Sequence, residues 1–385
     1  MEAIEVVDSD AHVVEPPDLW RKYIEPKFLG REPVHDDARR GTFGVFVEGR
    51  GINSWDMREA EQPVEQRRAA ADRLHTYFTT RFARAFAAGF DAESYLADMD
   101  RQGVSVSVLY PSYGNYAIAA DWIEPELAAA IARAYNNWLA DYCAAAPDRL
   151  KGVALVALQD PQAAADEARR AIGELGLVGA MARPNPVHGR NLSDPAYFPL
   201  YATLEALGAP LAIHEGGRPG LPQAGADRYP RGQQRHICSH PMEQMLAALG
   251  LITGGVLERY PGLRVAFLES GAGWAPYWLW RMDEHWESSG ESGMADGSAP
   301  LPQRPSDYFR RQCFISAEPD EPFVRPTIDY LGEDAVIFAT DYPHPDSKFP
   351  DAVRNFLELP GLSERTRQRI LWENPRRLYG LAGGG

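Results

Sequence analysis

Basic side chains of one kind are scarce: the 385-residue chain has only four lysines, Lys22, Lys27, Lys151 and Lys348, and carries a formal charge of −15. That balance argues against a nucleic-acid or anionic-membrane binder, both of which need a basic surface. Cysteine is scarce too. Cys143, Cys238 and Cys313 are odd in number and far apart, so they form no disulfide framework and fit reduced thiols, with Cys143 and Cys313 expected in the core. No apolar run approaches the roughly 18 residues of a membrane span. The N-terminus runs straight into a strand, without the basic, apolar and small-residue pattern of a secretory signal, so a cytoplasmic protein is the default expectation. Nothing after the first strand resembles Gly-x-Gly-x-x-Gly or a Walker lysine motif, which removes the usual nucleotide cradle.

Hydrophobic residues make up 45% of the chain, enough for a substantial core in one large α/β domain or two smaller ones. Eight short β-like runs alternate with helical patterns: 3–8, 104–111, 152–158, 179–184, 209–214, 263–269, 313–318 and 335–341. The helical segments 124–146 and 160–176 have apolar residues at helical spacing and acids near their starts, where the helix dipole favours them. Eight β/α units predict a distorted (β/α)8 barrel, with an open doubly wound sheet as the competitor. The stretches 17–90 and 286–310 break the pattern and read as insertions at the barrel mouth, the second a polar loop. No linker or internal repeat divides the chain, which reads as one domain over 1–385.

The stretch Val6–Trp20, "VVDSDAHVVEPPDLW", places Asp8, Asp10, His12 and Glu15 directly after an apolar run. Asp is disfavoured in strands, so the cluster either makes a turn or holds a metal. Barrel active sites lie at the C-terminal strand ends. There the chain places Asp10 and His12, Arg183, His214 and Glu215, Glu269, and Asp341 followed by His344, while His240 opens the helix "SHPMEQMLAALG" after the fifth strand. One such residue is more often a cap or hydrogen-bond partner than a ligand. A ring of imidazoles and carboxylates suits zinc, manganese or ferrous iron.

These residues carry a resemblance. The opening "DSDAHVVEPP", "ARPNPVHGRNLSDPAYFPLYATLEALGAPLAIHEGG", "SHPMEQM", "RYPGLRVAFLESGAGWAPYWLWRMDEH", "ATDYPHPD" and "NPRRLYGL" together resemble the amidohydrolase superfamily, in the branch often called amidohydrolase 2, over nearly the whole chain. The resemblance implies a metal-dependent barrel with Asp10, His12, His214 and Asp341 as ligands, His240 as ligand or acid/base, and a homodimer. Many hydrolases of the superfamily open with His-x-His and bridge two metals with a carboxylated lysine. This chain has Asp-x-His, and Lys151 precedes strand three at the wrong end of the barrel. The decarboxylases of the branch, with one metal, resemble it better but leave Glu15 without a task. Chains with the "HVVEPP" opening resemble a smaller group that holds two irons, or manganese and iron, and activates O2. On that expectation Glu15 bridges two metals and the enzyme is a monooxygenase hydroxylating a small carboxylate or acyl thioester. The alternatives are a hydrolase or non-oxidative decarboxylase with a single zinc or manganese, or a barrel that has lost catalysis, with Glu15 capping a turn before Pro16 and Pro17.

Three further features have two readings each. Arg183 is a fork for a substrate carboxylate or a structural clamp. Glu269 orients a ligand histidine or carries a proton, or else pairs with a barrel arginine. Trp274, Tyr277, Trp278 and Trp280 read as core packing and subunit interface.

Overall fold

The computed structural model describes residues 4–35, 45–52, 64–215, 222–230, 232–292 and 301–381. Among these, eight parallel strand positions follow one another around a distorted (β/α)8 barrel: β1 (Val7–Val13), β2 (Val106–Pro111), β3 (Leu150–Gly152 and Ala154–Leu155), β4 (Ala180–Ala182), β5 (Leu211–His214), β6 (Val265–Leu268), β7 (Cys313–Ala317) and β8 (Val336–Phe338). The distortion has two seams. β3 is broken at Val153, whose N–H donates to Leu109 C=O at 3.1 Å. β1 meets the residues just beyond β8, where Asp341 N–H donates to Asp10 C=O at 3.0 Å and His12 N–H to Tyr342 C=O at 2.6 Å.

Side chains set both seams. Gly152 sits where a Cβ would come within 2.6 Å of Leu139 Cδ2, so the broken strand needs glycine there. Asn136, buried on the helix Pro125–Cys143, clamps the break. Its amide donates to Leu155 C=O at 2.9 Å and to Glu167 at 2.7 Å, and accepts from Leu155 N–H at 2.8 Å. The helix Pro161–Gly173 follows, its first turn capped by Asp160, which accepts from Gln162 N–H and Ala163 N–H as an N-cap carboxylate does.

All eight strands fall within the sequence-derived runs or overlap them, with one shift that matters. β1 does not end before the polar cluster; Asp8, Asp10 and His12 are on the strand and buried. The β1–β2 register breaks between Asp8 and Ala11, and alternate polar residues face the barrel interior. Tertiary partners override their low strand propensity: Asp8 accepts from Thr340 N–H at 3.0 Å and from the Thr340 hydroxyl.

The 286–310 stretch is not the loop expected: the helix Ala275–Ser292 runs into it and the helix Pro305–Gln312 closes it, with 293–300 outside the described residues. The 17–90 stretch contains helices Leu19–Tyr23, Val64–Arg81 and Ala83–Ala87 and a small antiparallel sheet of Val34–His35, Val45–Val47 and Arg50–Gly51. Cys143 and Cys313 are buried. The aromatic run divides: Trp274 is buried, but Tyr277 and Trp280 are 58% and 48% exposed, because successive helical residues point around the axis and only one face meets the barrel. Among the described residues no helix is long and apolar enough to cross a membrane.

Candidate active site

Two imidazoles define the centre. His12 Nδ1–H donates to Pro111 C=O at 3.2 Å and His214 Nδ1–H to Glu215 C=O at 3.0 Å. Each bond leaves the Nε2 lone pair pointing inward, and the two Nε2 atoms meet at 3.2 Å. Two nitrogens bound about 2.1 Å from one ion lie roughly 3.0–3.4 Å apart, so the spacing is that of two ligands on a shared cation. Asp10 Oδ1 lies 3.2 Å from His214 Nε2 and 3.7 Å from His12 Nε2, and Asp341 Oδ1 lies 3.2 Å from His12 Nε2. Both Asp10 carboxylate oxygens are buried and make no hydrogen bond. Orphaned carboxylate oxygens facing imidazole lone pairs are costly unless positive charge joins them. The field shows the same preference: burial disfavours charge on His214, yet Asp10 and Glu269 together push its pKa up to about 9. The donor set fits one divalent transition cation.

Glu269 and His240 form the second part. Glu269 follows β6 with φ +51° and Asp341 follows β8 with φ +56°; backbone strain of this kind is stored where a side chain must be aimed. Glu269 Oε2 lies 3.2 Å from His214 Nε2, and Oε1 lies 3.4 Å from His240 Nε2. Burial pushes the Glu269 carboxyl well above the carboxylate range, against the pull of His214. Burial, with His214 nearby, pushes His240 down to about 4. His240 does not open its helix, which runs Gly232–Thr253 with Pro241 inside it. One turn earlier, His236 stacks on His240 with centroids 3.9 Å apart. Gln244, one turn later, donates from Nε2 to Ile213 C=O at 2.9 Å and Leu268 C=O at 3.0 Å. It thereby ties the helix to the strand ends that carry His214 and Glu269.

Sequence reasoning missed His236 and Gln244. The signal was available: His236-x-x-x-His240 is the i, i+4 spacing of one helical face, hidden because Pro241 reads as a first-turn residue.

Glu15 lies outside this ring. It is 1% exposed, and its carboxylate accepts from three successive amides, Ser112 N–H at 3.3 Å, Tyr113 N–H at 3.0 Å and Gly114 N–H at 2.7 Å. It is turned into the loop after β2 rather than between two metals. Burial lifts its pKa to about 7, although the amides oppose the shift. Arg183 is buried after β4; its Nε and Nη2 donate to Asn185 Oδ1 at 3.1 and 2.9 Å, and Nη2 lies 3.6 Å from Glu215. It lines a small pocket with Asn115, Gln159, Ile118, Leu155 and Met181. No lysine enters the ring: Lys151 Nζ donates to Pro147 C=O, and Lys22, Lys27 and Lys348 pair with Asp18, Glu126 and Asp320.

The chain has relatives among known proteins. The gamma-resorcylate decarboxylase of Rhodococcus jostii is 31% identical over 283 residues, 67% of this chain and 79% of its own. The 2-amino-3-carboxymuconate-6-semialdehyde decarboxylase of Dictyostelium discoideum is 29% identical over 300 residues, 76% and 77% of the two chains. A structure of 5-carboxyvanillate decarboxylase from Novosphingobium aromaticivorans, complexed with manganese and 4-hydroxy-3-methoxy-5-nitrobenzoic acid, shares the fold with a TM-score of 0.67 at 23% identity, over 98% of this chain and 96% of that one. These relatives overturn the oxygenase expected from the "HVVEPP" opening, and with it the two irons and the O2. The physical reason is Glu15, whose carboxylate is engaged by the β2 loop. The match to the amidohydrolase family runs over residues 7–381, and the chain belongs to that family.

Proposed function

We propose that the chain is a non-oxidative, metal-dependent decarboxylase of a small carboxylic acid, with one divalent cation, zinc or manganese, held by Asp10, His12, His214 and Asp341. The observation that carries this reading is that, among the described residues, two overlapping ligand groups, Asp10–His12–His214 and His12–Asp341–His344, meet at His12, with the Glu269–His240 contact of 3.4 Å beside them. Decarboxylation breaks one C–C bond, leaves its electron pair on carbon, releases CO2 and requires one proton at that carbon. The cation supplies Lewis acidity for the anionic oxygens of the acid.

The proton is held by the protein. Glu269 Oε1 and His240 Nε2 lie 3.4 Å apart, close enough to share a proton, with Glu269 assigned to carry it and His240 to relay it. Glu269 is then the donor to the substrate carbon. Arg183, whose Nη2 lies 3.6 Å from the Glu215 carboxylate next to His214, is the candidate to orient the carboxylate of the acid. The relatives point to aromatic or unsaturated acids, in which the carbon can accept a proton before CO2 leaves.

The test is CO2 release by manganese-loaded protein from gamma-resorcylate, 5-carboxyvanillate and related hydroxylated acids. Release abolished by Glu269→Gln is the expected result. Hydrolysis of amide or ester substrates with every acid of the panel left intact overturns the reading in favour of a hydrolase.

A further inference from the structure

We propose that Glu15 is a positioning residue for the metal centre: it fixes the turn at 112–114, which seats Ser112 Oγ against His344 and so aims Asp341 at the cation. The proposal rests on the metal-centre reading above and gives a task to a buried carboxylate that the reaction does not use.

The chain of contacts is continuous. Glu15 gathers the amides of Ser112, Tyr113 and Gly114 within 3.3 Å. Gly114 allows the approach, since a Cβ there would meet Pro111 Cβ at 3.1 Å, Tyr135 Cδ2 at 3.2 Å and Glu15 Oε1 at 3.3 Å. With the turn fixed, Ser112 Oγ lies 3.2 Å from His344 Nε2. His344 Nδ1 lies 2.7 Å from Asp341 Oδ1, and its ring stacks on His12 with centroids 3.9 Å apart. His344 therefore touches two of the four ligands, and Ser112 fixes the ring's far edge. An outer partner of this kind sets ligand orientation and typically changes metal affinity about 10–100-fold when lost.

A carboxylate suits the position because it only accepts hydrogen bonds. An amide in its place turns an N–H toward the backbone N–H groups and opens the turn. The serine is separable from the turn itself: Ser112→Ala keeps the backbone amide that Glu15 holds and removes only the hydroxyl facing His344.

The experiment is Mn2+ titration by isothermal calorimetry on folded Glu15→Gln, Ser112→Ala, Ser112→Thr and the double variant Glu15→Gln/Ser112→Ala. Ser112→Ala should weaken Mn2+ binding about tenfold or more without moving the melting temperature. Glu15→Gln should weaken it at least as much, the double variant should lose little beyond Glu15→Gln alone, and Ser112→Thr should restore near-parental affinity. Unchanged Mn2+ affinity in Ser112→Ala, or losses that simply multiply in the double variant, overturn the proposal and leave Glu15 a fold-stabilising residue only. Parental protein that binds Mn2+ but releases no CO2 defeats the proposed reaction while leaving this inference intact.

Discussion

Replacing Glu269 by Gln tests its proposed role as the proton carrier. The amide keeps the length of the side chain and its place at φ +51°, but it cannot hand a proton to carbon. Glu269 reaches both His214 Nε2 at 3.2 Å and His240 Nε2 at 3.4 Å, so the substitution acts on the pair without removing any of the four proposed ligands. Loss of a positioned acid or base costs about 10²–10⁴-fold in rate, or roughly 3–5 kcal/mol in the barrier. The assay is kcat for CO2 release by manganese-loaded protein beside the Mn2+ dissociation constant measured by calorimetry. We expect kcat to fall by about 10²-fold or more, with Mn2+ affinity changed by less than about tenfold. If Glu269 and His240 work as one pair, as proposed, adding His240→Asn should cost little more. A kcat within tenfold of the parent, or losses that multiply in the double variant, refutes the shared-proton reasoning. Collapse of Mn2+ binding makes Glu269 a ligand instead.

Three other outcomes follow from the same geometry. His214→Ala and Asp341→Asn should each lower the metal content of protein purified without chelator, while Lys151→Ala should leave it unchanged, as elemental analysis will show. Burial holds His236 down at about 4 against an ordinary 6.5, so the folded chain binds its proton less readily than the unfolded one. The stability this contributes is fully present above about pH 6.5 and lost toward pH 4, by up to about 3 kcal/mol. Urea melts of His236→Gln should therefore show a shallower fall than the parent between pH 6.5 and 4.5, and an equal fall contradicts the assignment. Asn136→Ala should destabilise the fold by about 2–4 kcal/mol, because it strands the buried Leu155 peptide groups and one Glu167 contact; a urea midpoint unchanged from the parent contradicts that clamp.

The barrel was legible in the sequence because its signals are local. Runs such as 209–214 and 263–269 are short, β-branched or apolar and separated by helices, and β5 and β6 fall inside them. Four ligand candidates were legible for the same reason, since strand ends are where a barrel gathers its side chains. Glu15 was misread because its partners are the backbone amides of 112–114, nearly a hundred residues away, and amides leave no mark in a sequence. The end of β1 was misplaced because Asp8 is stabilised by Thr340, a contact across the closing seam. His236 lay behind a helix start that Pro241 disguised. For Glu15 and Asp8 what the sequence withheld was a contact between distant segments, whereas His236 was hidden by a local misreading.

The central claim, that carbon–carbon cleavage at a single metal needs a proton and no oxidant, is tested most directly by running the manganese-loaded protein under argon in D2O on an acid that it consumes. The account predicts one CO2 released for each product formed, with one deuterium at the carbon that carried the carboxylate and no dependence on O2. Turnover that requires O2, or a product that retains the carboxylate, contradicts it.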